Sequence, residues 1–213
     1  MAFLQKRPNV GQPTQFYTVG QNKTVLVVGL GNIGREYDGT RHNIGFACVD
    51  DFASKNGFDP WIEKKDLKAL FTSATLGDSR VILIKPTTLM NLSGQAVQAT
   101  MAFYKIVPER VIIVHDELDI PFGQIRTRVG GSSAGHNGVK SVTNAIGEQY
   151  GRVRVGIGPK THEQMDSADF VLQRFNAEQM AHISALTREA SAILSEYIFG
   201  DAQLPHETRS FIV

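Results

Sequence analysis

Three histidines stand where an imidazole can do chemistry: His42 at the entrance of a helix-like stretch, His115 at the close of an apolar run, and His136 inside a glycine-rich loop. His42 has the strongest case. A helix N-terminus disfavours imidazolium, whereas a carboxylate such as Asp116 favours it and fixes the ring tautomer, so the opposed effects leave a neutral base poised near neutral pH. Asn32, Asn91 and Asn137 each fall in a loop or at a helix entrance, positions asparagine also fills as a cap or turn residue. Their amides can hold water and donate to an oxyanion without titrating, and beside a His–Asp pair they make a coherent hydrolytic set. Metal ligation by His42, His115 and Asp116 lacks any HExxH-type spacing, so no metal is expected. Cys48 lies on an apolar helix face and reads as inert packing.

Two glycine loops invite phosphate readings and miss them. Gly29-Leu30-Gly31-Asn32-Ile33-Gly34 is a GxGxxG directly after a strand-like run, but the chain continues Arg35-Glu36-Tyr37-Asp38-Gly39-Thr40 without helical periodicity. A dinucleotide site needs that third glycine in a helix's first turn. The acidic residue expected about 20 positions on would be Asp50 or Asp51, inside a predicted helix and not at a strand end. Gly130 to Gly135 has the spacing of a nucleotide-triphosphate loop, yet His136-Asn137 replaces the required Lys-Ser/Thr. What remains is a small-residue loop whose backbone N–H groups, feeding a helix N-terminus, are expected to face an anion or a developing negative charge. Period-two alternation puts Arg126 with Arg128, and Arg152 with Arg154, on outward faces of two strands near that loop. Such a clamp suits backbone phosphates along a limited stretch of nucleic acid.

The elements that must position these groups are legible from periodicity. Strands are predicted at Val25–Val28, Leu67–Leu76, Val81–Ile84, Val111–Val114, Gln124–Val129 and Arg152–Ile157; the turn Gly77-Asp78-Ser79 joins the second and third. Helices are predicted at Asn43–Lys55, Leu92–Ile106, near Asn137–Ile146, and over Ala177–Phe199, the last with Met180, Ile183, Leu186, Ala190, Ile193 and Tyr197 on its apolar stripe. Interleaved strands and helices imply an α/β fold, a single domain with a twisted mixed sheet flanked by helices on both faces. Residues 24–213 form that domain, and residues 1–23, rich in Gln, Asn, Pro and Gly, are expected to be a loose N-terminal extension.

With 213 residues, 42% hydrophobic and 20% charged, and 22 Lys+Arg against 21 Asp+Glu, the chain is an ordinary globular protein and not a globally cationic binder. Charge is nevertheless uneven. Residues 120–160 hold six Lys/Arg against Glu148 alone, while residues 161–207 hold eight acidic side chains against Arg174 and Arg188. One surface is thereby suited to an anion, the alternative being two solvated faces of opposite sign. A single cysteine fits a reducing cytoplasm, and no apolar run approaches the roughly 18 residues of a membrane span.

The segments VVGLGNIGREYDGTRHNIGF, IKPTTLMNLSGQAV, VHDELDIPFGQIRTRVGGSSAGHNG and RVRVGIG, running in order from about Val25, resemble the bacterial-type peptidyl-tRNA hydrolase family. The resemblance implies a cytoplasmic, metal-independent and cofactor-free ester hydrolase, acting as a monomer. Its substrate would be peptidyl-tRNA, held by the acceptor end and the 5′ phosphate and cleaved at the bond between peptide and 3′ ribose. By matched position His42 is the base, Asp116 orients it, and Asn32 belongs with them. Asn91 and Asn137 hold the substrate, with Tyr37, Met90 and His136 lining the cleft, and Arg128 and Arg152 correspond to the basic pair that grips the tRNA 5′ phosphate. Ile33 stands where the family usually has proline. The segment before Val25 is longer than usual, and the end after Phe199 lacks the family's common Asn-containing close. A non-catalytic RNA-binding relative and a dinucleotide-dependent reductase are the alternatives.

Overall fold

The computed structural model describes residues 23–158, 166–200 and 204–210. Apart from Lys23, the segment expected to be a loose extension lies outside them.

Short β-branched runs build the centre of the sheet because both of their faces are covered. β1 (Thr24–Gly29) pairs in parallel with β4 (Ser79–Pro86) and with β5 (Val111–Pro121), and β5 pairs in parallel with β7 (Gly151–Gly158). Antiparallel strands extend both sides: β3 (Ala69–Leu76) and β2 (Ile62–Lys64) beyond β4, β6 (Gln124–Val129) and β8 (Thr208–Ser210) beyond β7. The order among the described residues is β2-β3-β4-β1-β5-β7-β6-β8.

Alternation divides the core into two layers. Val25, Val27, Val81, Leu83, Ile112 and Val114 pack with α1 (Ile44–Lys55) and α5 (Ala177–Phe199). Leu26, Val28, Ile82, Ile84, Val111 and Ile113 point the other way, to α2 (Ser93–Tyr104) and α3 (Asn137–Ile146). Full burial of each such side chain contributes about 1.5–3 kcal/mol. The expected mixed α/β sheet with helices on both faces is what forms. No helix among the described residues is long and apolar enough to cross a membrane.

Boundaries differ where tertiary pairing overrides local pattern. β5 runs on to Pro121, because His115, Asp116 and Glu117 keep pairing with β7 although they are polar. β4 likewise extends beyond its apolar run, and β3 starts later because Lys65–Leu67 forms a 3-10 turn. Met180 is exposed, so the apolar stripe of α5 starts further along.

Two glycines let α1 settle on the ends of β1 and β5. A Cβ on Gly45 would lie 2.4 Å from the carbonyl oxygen of Val114, and one on Gly29 would lie 2.5 Å from that of Gly45. This close approach delivers the turn preceding α1, with His42, to the carboxyl ends of the parallel strands, where α/β sheets place their crevices.

Candidate active site

Five segments converge on that end of the sheet. The loop after β1 carries Asn32 and Tyr37, and a 3-10 turn over Arg41–Asn43 carries His42. A second 3-10 turn, Met90–Leu92, brings Met90 and Asn91; β5 brings Asp116; the glycine loop and the start of α3 bring His136 and Asn137. All eight of these side chains line one cleft of about 590 Å³. Its far wall is α4 (Ser167–Leu172), through Val171 and Leu172. Arg41 fastens that wall to the His42 turn: its guanidinium lies 4.3 Å from the Phe170 ring centre and its backbone N–H donates to Gln173.

His42 and Asp116, 74 residues apart, meet: His42 Nδ1 is 2.9 Å and 3.0 Å from the two carboxylate oxygens. A ring nitrogen facing a carboxylate carries the proton, which leaves the lone pair of His42 on Nε2. His136 Nε2 is 2.9 Å from the same carboxylate. Its Nδ1 accepts from the backbone N–H groups of Gly138 and Val139 at 3.1 and 3.2 Å, so the proton belongs on Nε2 and His136 serves as the N-cap of α3. Burial by itself would push the Asp116 carboxyl up, but the charge and hydrogen bonds of His136 and His42 hold it well below the ordinary carboxylate range. His42, Asp116 and His136 offer one ligand atom each within 4.8 Å of one another. In the hydrogen-bonded arrangement those imidazole nitrogens carry protons directed at Asp116, so holding a metal there requires both to be lost.

His115 is not in the cleft. It is fully buried, its Nδ1 donates to the Asp116 carbonyl at 2.6 Å, and its Nε2 accepts from Arg152. Neither nitrogen is left for a metal. Of the amides at the end of the glycine loop, those of Gly138 and Val139 are taken by the His136 side chain and do not stand open to an anion. After Gly34 the chain makes only a 3-10 turn, Arg35–Tyr37, in keeping with the absence of a dinucleotide helix.

Asn43 does work the sequence did not advertise. Its Oδ1 accepts from the Asn32 backbone N–H at 2.8 Å and its Nδ2 donates to the Asn32 carbonyl at 3.0 Å. The Asn32 side-chain oxygen accepts from Met90 N–H at 3.1 Å, which leaves the amide NH₂ as its free function. Asn43 directly follows His42, and that adjacency was the available signal.

The arginines divide. Arg126 pairs with Arg154 and Arg128 with Arg152 across β6 and β7, so all four share one face. The expectation that all four point outward fails at Arg152, which is 0% exposed. Its guanidinium donates to His115, Gly131 and Ser132, and the glycine loop covers it. Arg126, Arg128 and Arg154 are partly exposed, each with a buried Nε lacking a partner among the described residues. Arg128 lies against the glycine loop: a Cβ on Gly131 would fall 2.1 Å from its Nη2.

The sequence model described as "Peptidyl-tRNA hydrolase" matches residues 26–209. A peptidyl-tRNA hydrolase of Cereibacter sphaeroides is 45% identical over 166 residues, 78% of this chain and 72% of that one. One from Staphylococcus aureus is 40% identical over 173 residues, 81% and 90% of the two chains. The crystal structure of peptidyl-tRNA hydrolase from Acinetobacter baumannii superposes with a TM-score of 0.78 at 33% identity, covering 84% of this chain and 91% of that one.

Proposed function

This chain belongs to the peptidyl-tRNA hydrolase family, and from that membership we propose how its cleft hydrolyses peptidyl-tRNA at the ester joining peptide to tRNA. The observation that carries the mechanism is the His42–Asp116 contact at the base of the cleft. Water bound at His42 Nε2 gives up a proton to that nitrogen as its oxygen attacks the ester carbonyl carbon. Asp116 holds Nδ1–H and stabilises the imidazolium that forms. The Asn32 NH₂ donates to the developing oxyanion, a contribution of the size that removing one such donor costs, about 10²–10³-fold. On collapse the bond to the ribose 3′ oxygen breaks, and that oxygen takes the proton from His42. An ester leaving group is good enough that neither a covalent nucleophile nor a metal is needed.

Asn91 and Asn137, both exposed at the cleft, bind the peptide, with Tyr37, Met90 and His136 lining the passage. Two carboxylates besides Asp116 also line the cleft, and both are engaged: Asp166 caps α4 by accepting from Ala168 N–H, and Glu117 lies 3.8 Å from Arg152. With no carboxylate among the described lining residues left for an α-amine, amide and backbone contacts to the first peptide bond select blocked substrates over free aminoacyl-tRNA. Arg128 and Arg154, and not Arg152, grip the 5′ phosphate at the acceptor end, because they are partly exposed whereas Arg152 is fully buried and bonded to His115 and the glycine loop. The test is release of tRNA from N-acetylaminoacyl-tRNA and from aminoacyl-tRNA. Fast release from the first alone is expected; equal rates would refute the selectivity, and no release from either would refute the activity.

A further inference from the structure

We propose that Arg152 is a positioning residue of the active site, a buried tie that fixes the glycine loop and His115 around Asp116 and His136; the proposal rests on the cleft being the hydrolytic site.

A guanidinium taken wholly out of water is costly unless its N–H groups are served, and Arg152, with no exposed surface, serves them in two directions. Towards the loop, Nη1 donates to the carbonyls of Gly131 and Ser132 at 3.2 and 2.7 Å. These two consecutive carbonyls turn inward because Gly130 and Gly131 sit at φ of 63° and 89°, a region that favours glycine. The next residue, Ser133, accepts from His136 N–H at 2.8 Å, closing the turn that presents the His136 ring. The tie is therefore one residue away from the turn that sets a partner of Asp116.

Towards β5, Nε and Nη2 both approach His115 Nε2, at 3.2 and 3.1 Å. With its acceptor so used, His115 keeps its proton on Nδ1 and donates it to the Asp116 carbonyl, and its ring stands edge-on to His136 with centres 4.8 Å apart. Burial, then His136 and Arg152, holds His115 neutral. Glu117, 3.8 Å from Nη2, balances the buried charge. Arg152 thus bears on both supports of the Asp116 carboxylate, its own backbone and the His136 side chain. A fork of five N–H groups can span these acceptors; a lysine ammonium on a single stem cannot. Arg154, two residues on along the same strand, has the opposite character, partly exposed with an unpartnered Nε.

The test compares Arg152→Lys with wild type on two substrates: N-acetylaminoacyl-tRNA, and the same N-acetylaminoacyl ester on a short CCA oligonucleotide without the phosphorylated stem. A fall in kcat of about tenfold or more on both is expected, with the KM for tRNA and its salt dependence nearly unchanged. A fall seen only with tRNA, appearing in KM with a shallower salt slope, would overturn the proposal in favour of phosphate contact. Wild-type kcat on both substrates would overturn it as well. Inertness of the wild type itself would bring down the hydrolytic reading and this proposal with it. If Arg152→Lys does not fold, guanidinium NMR of the wild type titrated with a 5′-phosphorylated RNA minihelix decides. Shifted Nε–H signals of Arg128 and Arg154 with an unmoved Arg152 support the tie, and an Arg152 signal that moves with the others refutes it.

Discussion

The end of β5 and the arginine rows of β6 and β7 lie side by side in one sheet, and they handle buried polarity in opposite ways. Around Asp116 the donors find acceptors within the chain: His42 and His136 on the carboxylate, His115 on the carbonyl, and Arg152 on His115 and the loop. On the neighbouring strands Arg126, Arg128 and Arg154 leave an Nε unpartnered among the described residues. A closed network is preorganised and pays no reorganisation when charge develops, as a site of chemistry requires. Partly exposed guanidinium groups with unused donors are suited to an anion brought from outside. Arg152 belongs to the second region by strand and to the first by its bonds.

The largest effect should come from breaking the closed network. Asp116→Asn keeps one oxygen that can accept from both His42 and His136, but it loses the negative charge that stabilises the imidazolium and sets an NH₂ donor against His42 Nδ1–H where the second carboxylate oxygen stood. Its kcat on N-acetylaminoacyl-tRNA should fall by about 10²-fold or more with tRNA affinity little changed. An affinity loss without a rate loss would place Asp116 in recognition. Opening the second region further should act on binding. Arg154→Ala or Arg128→Ala should raise KM for tRNA by about tenfold and lower the salt slope of binding by about one, with kcat nearly intact. An unchanged slope would remove these side chains from the phosphate contact.

The smallest effect is on stability. His115 is held neutral in the fold well below the usual histidine value of about 6.5, whereas the unfolded chain takes up a proton there. The unfolded state binds more protons below that pH, so this contribution is whole above about pH 6.5 and is lost as pH falls, by at most ~1.4 kcal/mol per unit. His115→Gln should flatten the fall in urea midpoint between pH 7 and pH 5.5. A fall as steep as in wild type would assign it to other groups.

Much of the fold was readable because the parallel strands are continuous β-branched runs, and the two core layers follow from simple alternation within them. The cleft residues were readable because each sits just past a strand or at a helix entrance, where a parallel sheet gathers its loops. Alternation also puts the four arginines on one face, but it carries no information on which part of that face a loop covers, so the burial of Arg152 is not legible from it. The role of Asn43 is not legible from periodicity because its target is the backbone of Asn32, eleven residues away. β2, α4 and β8 are too short to leave a pattern.

The central claim, that His42 delivers the base, is tested most directly by single-turnover hydrolysis of N-acetylaminoacyl-tRNA with wild type and His42→Ala, each saturated with substrate. The account predicts a rate loss of about 10²–10⁴-fold at unchanged tRNA affinity. A variant that still turns over near the wild-type rate, or one that loses affinity and recovers its rate at higher enzyme concentration, would contradict it.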